Sequence, residues 1–321
     1  MIRSVLVSLA LCACAFMLSS CRGTAPTAAL GGPSQAAHAD AIPSRGCALS
    51  PRLRTQQNGE QTIHRHLTSG GHVRRFVLVL PPDDSATPRP LVLNFHGLVE
   101  TPGLHQALTR MDDETRKRGL VLAYPEGFGN SWNAGSCCGR GQDEQLDDVR
   151  FLRELVSQLG DELCIDLRRV YATGISNGGM ISWRLACEAS DVFAAIAPVA
   201  GVNVTPACAP KRNVPVLAFH GTGDFVVTPE GGRFSLPSLE STISAAESRN
   251  GCTGERTVRY KHGDTTCTSK QCPSDADVIL CTIEGGGHTW PGGTAAPWLG
   301  ATSTDIDATT TILDWFAQQA R

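Results

Sequence analysis

The sequence contains no C-x-x-C pair, no long run of basic residues and no apolar stretch long enough to span a bilayer comfortably. Each absence removes a class of function. Without C-x-x-C, and without histidines at zinc-ligand spacing beside the cysteines, no metal site is expected. A net charge of -3 with no basic block argues against nucleic acid as a partner. No internal repeat and no second linker divides the chain, so one large core is expected. Small molecules or neutral polymers are the expected partners, with no cofactor.

What is present begins with "MIRSVLVSLALCACAFMLSSC", a single arginine followed by an apolar stretch from Val5 to Leu18 and then small residues before Cys21. Residues 1–21 read as an export signal. "LSSC" resembles the lipobox of bacterial lipoproteins, which implies a lipid on Cys21; ordinary cleavage after "AHA", ending at Ala39, is the alternative. Residues 22–45, rich in Ala, Gly, Pro and Ser, read as a flexible tether, and residues 46–321 as the domain. The expected location is secreted or extracellular, with attachment to the cell envelope if the lipid is present.

Cysteine usage agrees with export. Of 13 cysteines, setting aside Cys12, Cys14 and Cys21 leaves Cys47, Cys137, Cys138, Cys164, Cys187, Cys208, Cys252, Cys267, Cys272 and Cys281. An even set suits up to five disulfides in an oxidising compartment. Vicinal Cys137 and Cys138 are expected to pair with different partners, and Cys208 is the candidate partner of Cys187.

Short apolar runs alternate with helical patterns along the domain. "RRFVLVLP", "PLVLNFHG", "LVLAYP", "RRVYATG", "FAAIAPVAG", "VPVLAFHG" and "DVILCTIEG" read as strands. Helices are expected over residues 103–119, 143–163, 177–188, 235–250 and 303–319. Such alternation implies an α/β fold, with a mostly parallel central sheet covered by helices on both faces. Sites in such sheets lie beyond the carboxyl ends of the strands.

One strand-to-helix junction is "RVYATGISNGGMISWRLACE". Gly-x-Ser-x-Gly is weak evidence alone in a chain with 33 glycines, but its context is that of a nucleophile elbow. Gly174, Gly178 and Gly179 permit the sharp turn, Ser176 stands at its apex, and the helix that follows aims its N-terminus at any anion forming there. A serine hydroxyl needs a base oriented by a carboxylate, in the chain order Ser, Asp or Glu, His. Of the three later histidines, His220 ends a strand in "VLAFHGTGD", His262 reads as exposed loop in "RYKHGDTT", and His288 follows a strand in "CTIEGGGHTWPGG". Ser176, Asp224 and His288 are therefore the candidate catalytic residues. Asp264, Asp275 and Asp277 lie in a polar, cysteine-rich stretch, and Asp307 heads the closing helix, where an acidic residue ordinarily complements the helix dipole. Two backbone donors should hold the oxyanion, one from Asn177 and one from Leu98 in "LNFHGLVE", with His96 bracing that loop.

The set "LNFHG", "AYPEGFGNSWNAGSCCG", "DDVRFLRELV", "RVYATGISNGGMISWRLACE", "FAAIAPVAG", "HGTGD" and "GGGHTWPGG" resembles the secreted esterase family that joins polyhydroxybutyrate depolymerases with feruloyl and acetylxylan esterases, including lipoprotein-type members. The likeness runs from about residue 74 to the C-terminal helix. It implies an α/β-hydrolase fold and hydrolysis of carboxylic esters through an acyl-enzyme, with Ser176, Asp224 and His288 matching the family triad. The family's "WN" and "WPG" segments suggest Trp132 and Trp290 as substrate-binding walls, or else as packing residues. A Cys267 to Cys272 pair in "CTSKQC" would be a departure from the family. Relatives that act on solid polyester usually carry an added binding domain, which is not expected here; soluble or cell-wall-attached esters fit better. Two other readings stay open: an acyltransferase on the same scaffold, and a non-catalytic envelope lipoprotein that binds a ligand or partner.

Overall fold

The apolar runs are strands whose successive side chains enter two different cores. In the computed structural model, which describes residue 30 and residues 41–48, 62–82 and 87–321, Leu91, Leu93 and Phe95 enter one apolar layer and Val92 the other. The same alternation separates Val170 and Ala172 from Tyr171 and Ile175, as the two-residue period of a strand requires. The expected export signal 1–21, with Cys21, and most of the expected tether lie outside the described residues.

The strands are β1 Thr62–Ser69, β2 His72–Val79, β3 Arg89–Phe95, β4 Val121–Pro125, β5 Ile165–Ile175, β6 Ala195–Val199, β7 Val216–Gly221, β8 Thr253–His262, β9 Thr265–Gln271 and β10 Val278–Ile283. They form one sheet in the order β1-β2-β4-β3-β5-β6-β7-β10-β9-β8. From β4 across to β10 neighbouring strands are parallel; the pairs at both edges are antiparallel. The helices are α1 Pro102–Thr109, α2 Met111–Lys117, α3 Gly139–Asp143, α4 Asp148–Glu162, α5 Asn177–Glu188, α6 Leu239–Arg249 and α7 Ala308–Phe316. Helices α4, α5 and α6 cover one face through Phe151, Leu155, Trp183 and Ile243. Helices α2 and α7 cover the other through Met111, Ile312, Trp315 and Phe316. This is the α/β-hydrolase fold. No helix among the described residues is long and apolar enough to cross a membrane.

Several local expectations are corrected. The helix expected over 103–119 is two helices, because Arg110 has φ 51° and ends one while starting the next. The tether ends earlier than residue 45: Ile42 donates to Asp166 Oδ1 and accepts from Leu167 N–H, and Ser44 N–H donates to the Ile165 carbonyl. His262 closes a strand, although it remains exposed. That strand lacks an apolar alternation because most of its residues are exposed.

All ten cysteines of the domain are paired, as Cys47–Cys164, Cys137–Cys138, Cys187–Cys208, Cys252–Cys272 and Cys267–Cys281. The Cys187–Cys208 expectation agrees. Cys137 and Cys138 bond to one another, against expectation. So does the proposed Cys267–Cys272 pair fail, since Cys267 lies in β9 and five residues of extended chain span roughly 16 Å, far beyond disulfide reach. Cys267 instead faces Cys281 as its direct cross-strand partner.

Cys47–Cys164 closes a loop with a sequence separation of 117 and ties the start of the domain to the entry of β5. Replacing both cysteines by alanine should lower unfolding free energy by about 2–5 kcal/mol, because so long a loop strongly restricts the unfolded chain. Urea unfolding of the double variant measures this, and an unchanged midpoint would contradict it.

Candidate active site

The junction between β5 and α5 falls at Ser176, between Ile175 and Asn177. Ser176 sits there at φ 56°, ψ -122°, a region that costs a non-glycine residue of order 1–3 kcal/mol. Its N–H is held by the Val199 carbonyl at the end of β6, 2.9 Å away. The flanking glycines are needed for space: a Cβ on Gly174 would stand 2.5 Å from the Phe95 carbonyl oxygen, and one on Gly178 would collide with the same atom. Ser176 is partly exposed while its neighbours are buried, and its hydroxyl has no hydrogen-bond partner among the described residues.

The carboxyl ends of β7 and β10 supply the next two groups. Asp224, 2% exposed, accepts the N–H groups of Val226 and Val227 on Oδ1, both at 2.9 Å. Its Oδ2 faces His288 Nδ1 at 2.8 Å. That bond fixes the tautomer: Nδ1 carries the proton, and Nε2 is left as the basic nitrogen. His220 stands behind the pair with Nε2 donating to the Val227 carbonyl at 2.8 Å, and burial holds its pKa below the ordinary value. That bond ties the end of β7 to the loop that carries Asp224.

His288 is held through its own backbone and through Trp290. Its N–H donates to the Leu299 carbonyl at 2.7 Å. Trp290 is wholly buried and its indole N–H donates to Thr309 Oγ1 at 3.0 Å, pinning the "WPG" turn to α7. Trp132 is likewise fully buried; its ring is stacked on Phe151 and its indole N–H donates to the His96 carbonyl at 3.1 Å. The expectation that Trp132 and Trp290 wall the cleft is therefore corrected: both indoles are turned inward, with their polar atoms satisfied by protein.

The loop after β3 approaches the serine. A Cβ on Gly97 would lie 3.5 Å from Ser176 Cβ. His96 is completely buried, donates through Nδ1 to the Gly97 carbonyl at 2.7 Å and accepts the Gly127 N–H on Nε2 at 2.9 Å. That pattern needs a neutral ring, and burial lowers its pKa to about 4. Glu100, which sequence reasoning missed, accepts the Gly97 N–H at 2.8 Å. Burial pushes its carboxyl up, but the nearby His105 ring, with Nδ1 3.5 Å away, and the Gly97 N–H outweigh this and hold it below the ordinary range. The spacing of Glu100 three residues after Gly97 is the one signal that could have marked it.

Asn177 joins the two halves of this region. Its Oδ1 accepts the Trp132 N–H at 2.7 Å and its Nδ2 donates to the Trp132 carbonyl at 3.1 Å. Neither its backbone N–H nor that of Leu98 donates to a described protein atom. An arrangement of this kind can place an attacking oxygen, a base with an oriented carboxylate, and two free amide donors, one at the start of α5 and one in the loop after β3, around one carbonyl group. In free enzymes the bond from nucleophile to base is often long and tightens with substrate.

Comparison with known proteins gives a consistent picture. No family model matches the chain. The chain is 31% identical over 330 residues to the protein named "Putative esterase NocK" of Nocardia uniformis subsp. tsuyamanensis, covering 92% of this chain and 94% of that protein. It is 31% identical over 216 residues to feruloyl esterase B of Piromyces equi, covering 62% of this chain but only 39% of the fungal protein. Among solved structures, acetyl xylan esterase from Aspergillus awamori superposes with a TM-score of 0.56 at 14% identity, over 71% of this chain and 94% of that one; that likeness concerns the fold.

The neutral His96 makes stability depend on pH. Folded His96 takes up a proton only near pH 4, whereas an ordinary histidine does so near 6.5. Between these values the unfolded chain binds more protons, so this contribution is fully present above about pH 6.5 and is lost as pH falls towards 4. The change should be of order 3 kcal/mol at most. Urea unfolding from pH 7 to 4 should show a shallower decline for His96→Gln than for the wild type, and equal declines would contradict the assignment.

Proposed function

This chain belongs to the esterase family that includes NocK and the feruloyl esterases, and from that premise we propose that it is an exported serine carboxylic-ester hydrolase acting through an acyl-enzyme. The observation that carries the reading is the buried Asp224–His288 hydrogen bond at the carboxyl edge of the sheet, on the same edge as the strained Ser176. His288 Nε2 takes the Ser176 proton as Oγ attacks the ester carbonyl. The Leu98 and Asn177 N–H groups receive the developing oxyanion, each such donor contributing about 3 kcal/mol in other hydrolases. The proton then passes from His288 to the leaving alcohol oxygen, the alcohol departs, and water attacking the acyl-enzyme by the reverse sequence releases the acid.

The proposed substrates are feruloyl or acetyl esters of polysaccharides, or hydroxyalkanoate oligomers of the kind split by polyhydroxybutyrate depolymerases. Export is supported by the arginine and apolar stretch before Cys21 and by five disulfides, which suit an oxidising compartment. A lipid on Cys21 would keep the enzyme at the cell envelope.

Ser176→Ala should abolish hydrolysis of a short p-nitrophenyl ester by the purified protein, and Asp224→Asn should lower kcat by about 10³–10⁴ because His288 would then lose its charged orienting partner. Unchanged hydrolysis in Ser176→Ala would refute the assignment. Methyl ferulate, acetylated xylan and polyhydroxybutyrate compared side by side would identify the acyl and alcohol preference.

A further inference from the structure

The loop between β3 and α1 carries two features that the ester-hydrolase reading leaves unused. Val99, a β-branched residue 78% exposed, stands at φ 59°, a left-handed conformation that such residues adopt only when their surroundings impose it. Glu100 follows it and grips one residue at two points: its Oε2 accepts the Gly97 N–H at 2.8 Å, and its own N–H donates to the Gly97 carbonyl at 3.3 Å. The Val99 N–H goes to the Asn130 carbonyl at 2.9 Å. Of the consecutive amides of Gly97, Leu98 and Val99, that of Leu98 alone has no protein acceptor among the described residues.

The direction of that amide is set by the carbonyl on its own peptide plane. A trans peptide is planar, with C=O and N–H pointing opposite ways, so whatever holds the Gly97 carbonyl also aims the Leu98 N–H. Two donors hold it, the Glu100 N–H and His96 Nδ1. The Glu100 carboxylate has its own support in His105, which is completely buried. His105 Nδ1 faces Glu100 Oε2 at 3.5 Å with no hydrogen-bond partner among the described residues, and its Nε2 is 2.7 Å from Asn94 Oδ1 on β3. The turn stands beside the serine: a Cβ on Gly97 would lie 3.3 Å from Glu100 Oε2 and 3.5 Å from Ser176 Cβ.

We propose that Glu100 is a positioning residue for the oxyanion donor: by clamping Gly97 at both its amide and its carbonyl, it holds the strained Val99 turn and aims the Leu98 N–H at the carbonyl under attack. The inference rests on the ester-hydrolase reading above. Glu100 acts through the backbone and does not touch the ester. Without its carboxylate the Gly97 amide loses its acceptor, and the turn is free to relax towards the negative φ that valine prefers, carrying the Leu98 peptide plane with it. An ester carbonyl draws on that amide most when negative charge develops on its oxygen, so the loss falls on kcat and not on KM.

The test compares wild type, Glu100→Gln, Glu100→Ala and Glu100→Met on one p-nitrophenyl ester, with rates expressed per reactive serine as counted by end-point fluorophosphonate titration. Glu100→Ala and Glu100→Met lack an acceptor and should each lower kcat about thirtyfold, somewhat less than the loss of a whole donor, with KM within about twofold of wild type. Glu100→Gln, whose amide oxygen can still accept the Gly97 N–H, should keep kcat within about fivefold of wild type. Inhibition by a trifluoromethyl ketone, whose adduct on Ser176 carries the same oxyanion, should weaken in step with kcat/KM. Glu100→Met fills the space of the glutamate, so a fold lost in Glu100→Ala leaves the comparison intact. The proposal is overturned if kcat per reactive serine is unchanged without an acceptor, if KM alone changes, or if Glu100→Gln is as slow as Glu100→Met. It is overturned equally by ketone inhibition that stays at wild-type strength while kcat falls. A wild type that hydrolyses no ester overturns the ester-hydrolase reading itself, and this inference with it.

Discussion

The backbone of Ser176 is the constraint around which the active-site edge is built. A non-glycine residue at φ 56°, ψ -122° persists only when its surroundings leave no alternative. The Val199 carbonyl fixes its N–H from one side, and α5 begins at the next residue, almost entirely buried under the sheet. Gly174 and Gly178 let Phe95 of the neighbouring strand approach so closely that any side chain would collide with its carbonyl. The turn is thereby set by the packing of three adjacent strands. It is not a property of the pentapeptide alone.

A second line of contacts carries that rigidity to the loop after β3 and the start of α5. The buried pair of Arg74 and Asp148, 2.6 Å apart, lies beneath the segment containing Trp132. Asp148 also accepts the Asn133 N–H at 2.7 Å, and the Arg74 guanidinium stacks 4.0 Å above the Phe151 ring. Trp132, so held, supports the His96 carbonyl and both ends of the Asn177 amide. Buried ion pairs contribute little net stability against an apolar replacement, but losing one partner strands the other charge. Their use here is geometric, since one network joins Arg74 and Asp148 through the Trp132 segment to His96 and Asn177.

Much of this was readable in the sequence because it follows from local pattern and chain order. The short apolar runs around Val92 and Tyr171 marked strands, the small residues around Ser176 marked the elbow, and Asp224 and His288 were chosen as strand-end residues in the required order. What escaped depends on contacts distant in sequence. The polar β8 has little buried face from which a strand could be recognised, and with it went the register that pairs Cys267 with Cys281. Trp132 and Trp290 looked like cleft walls because their motifs flank the site, but rotation of each indole into the core is decided by Phe151 and Thr309 on other elements. Glu100 gave only a spacing, and its partner His105 lies on α1.

The central claim is that Ser176 is a nucleophile made reactive by the Asp224–His288 pair, and covalent trapping tests it most directly. Purified protein treated with a fluorophosphonate and digested should yield one adduct, on the peptide carrying Ser176, formed at least a hundredfold more slowly in His288→Ala (about 3 kcal/mol in the activation barrier). An adduct on a different serine, or ester hydrolysis that continues undiminished when no serine can be labelled, would contradict the account.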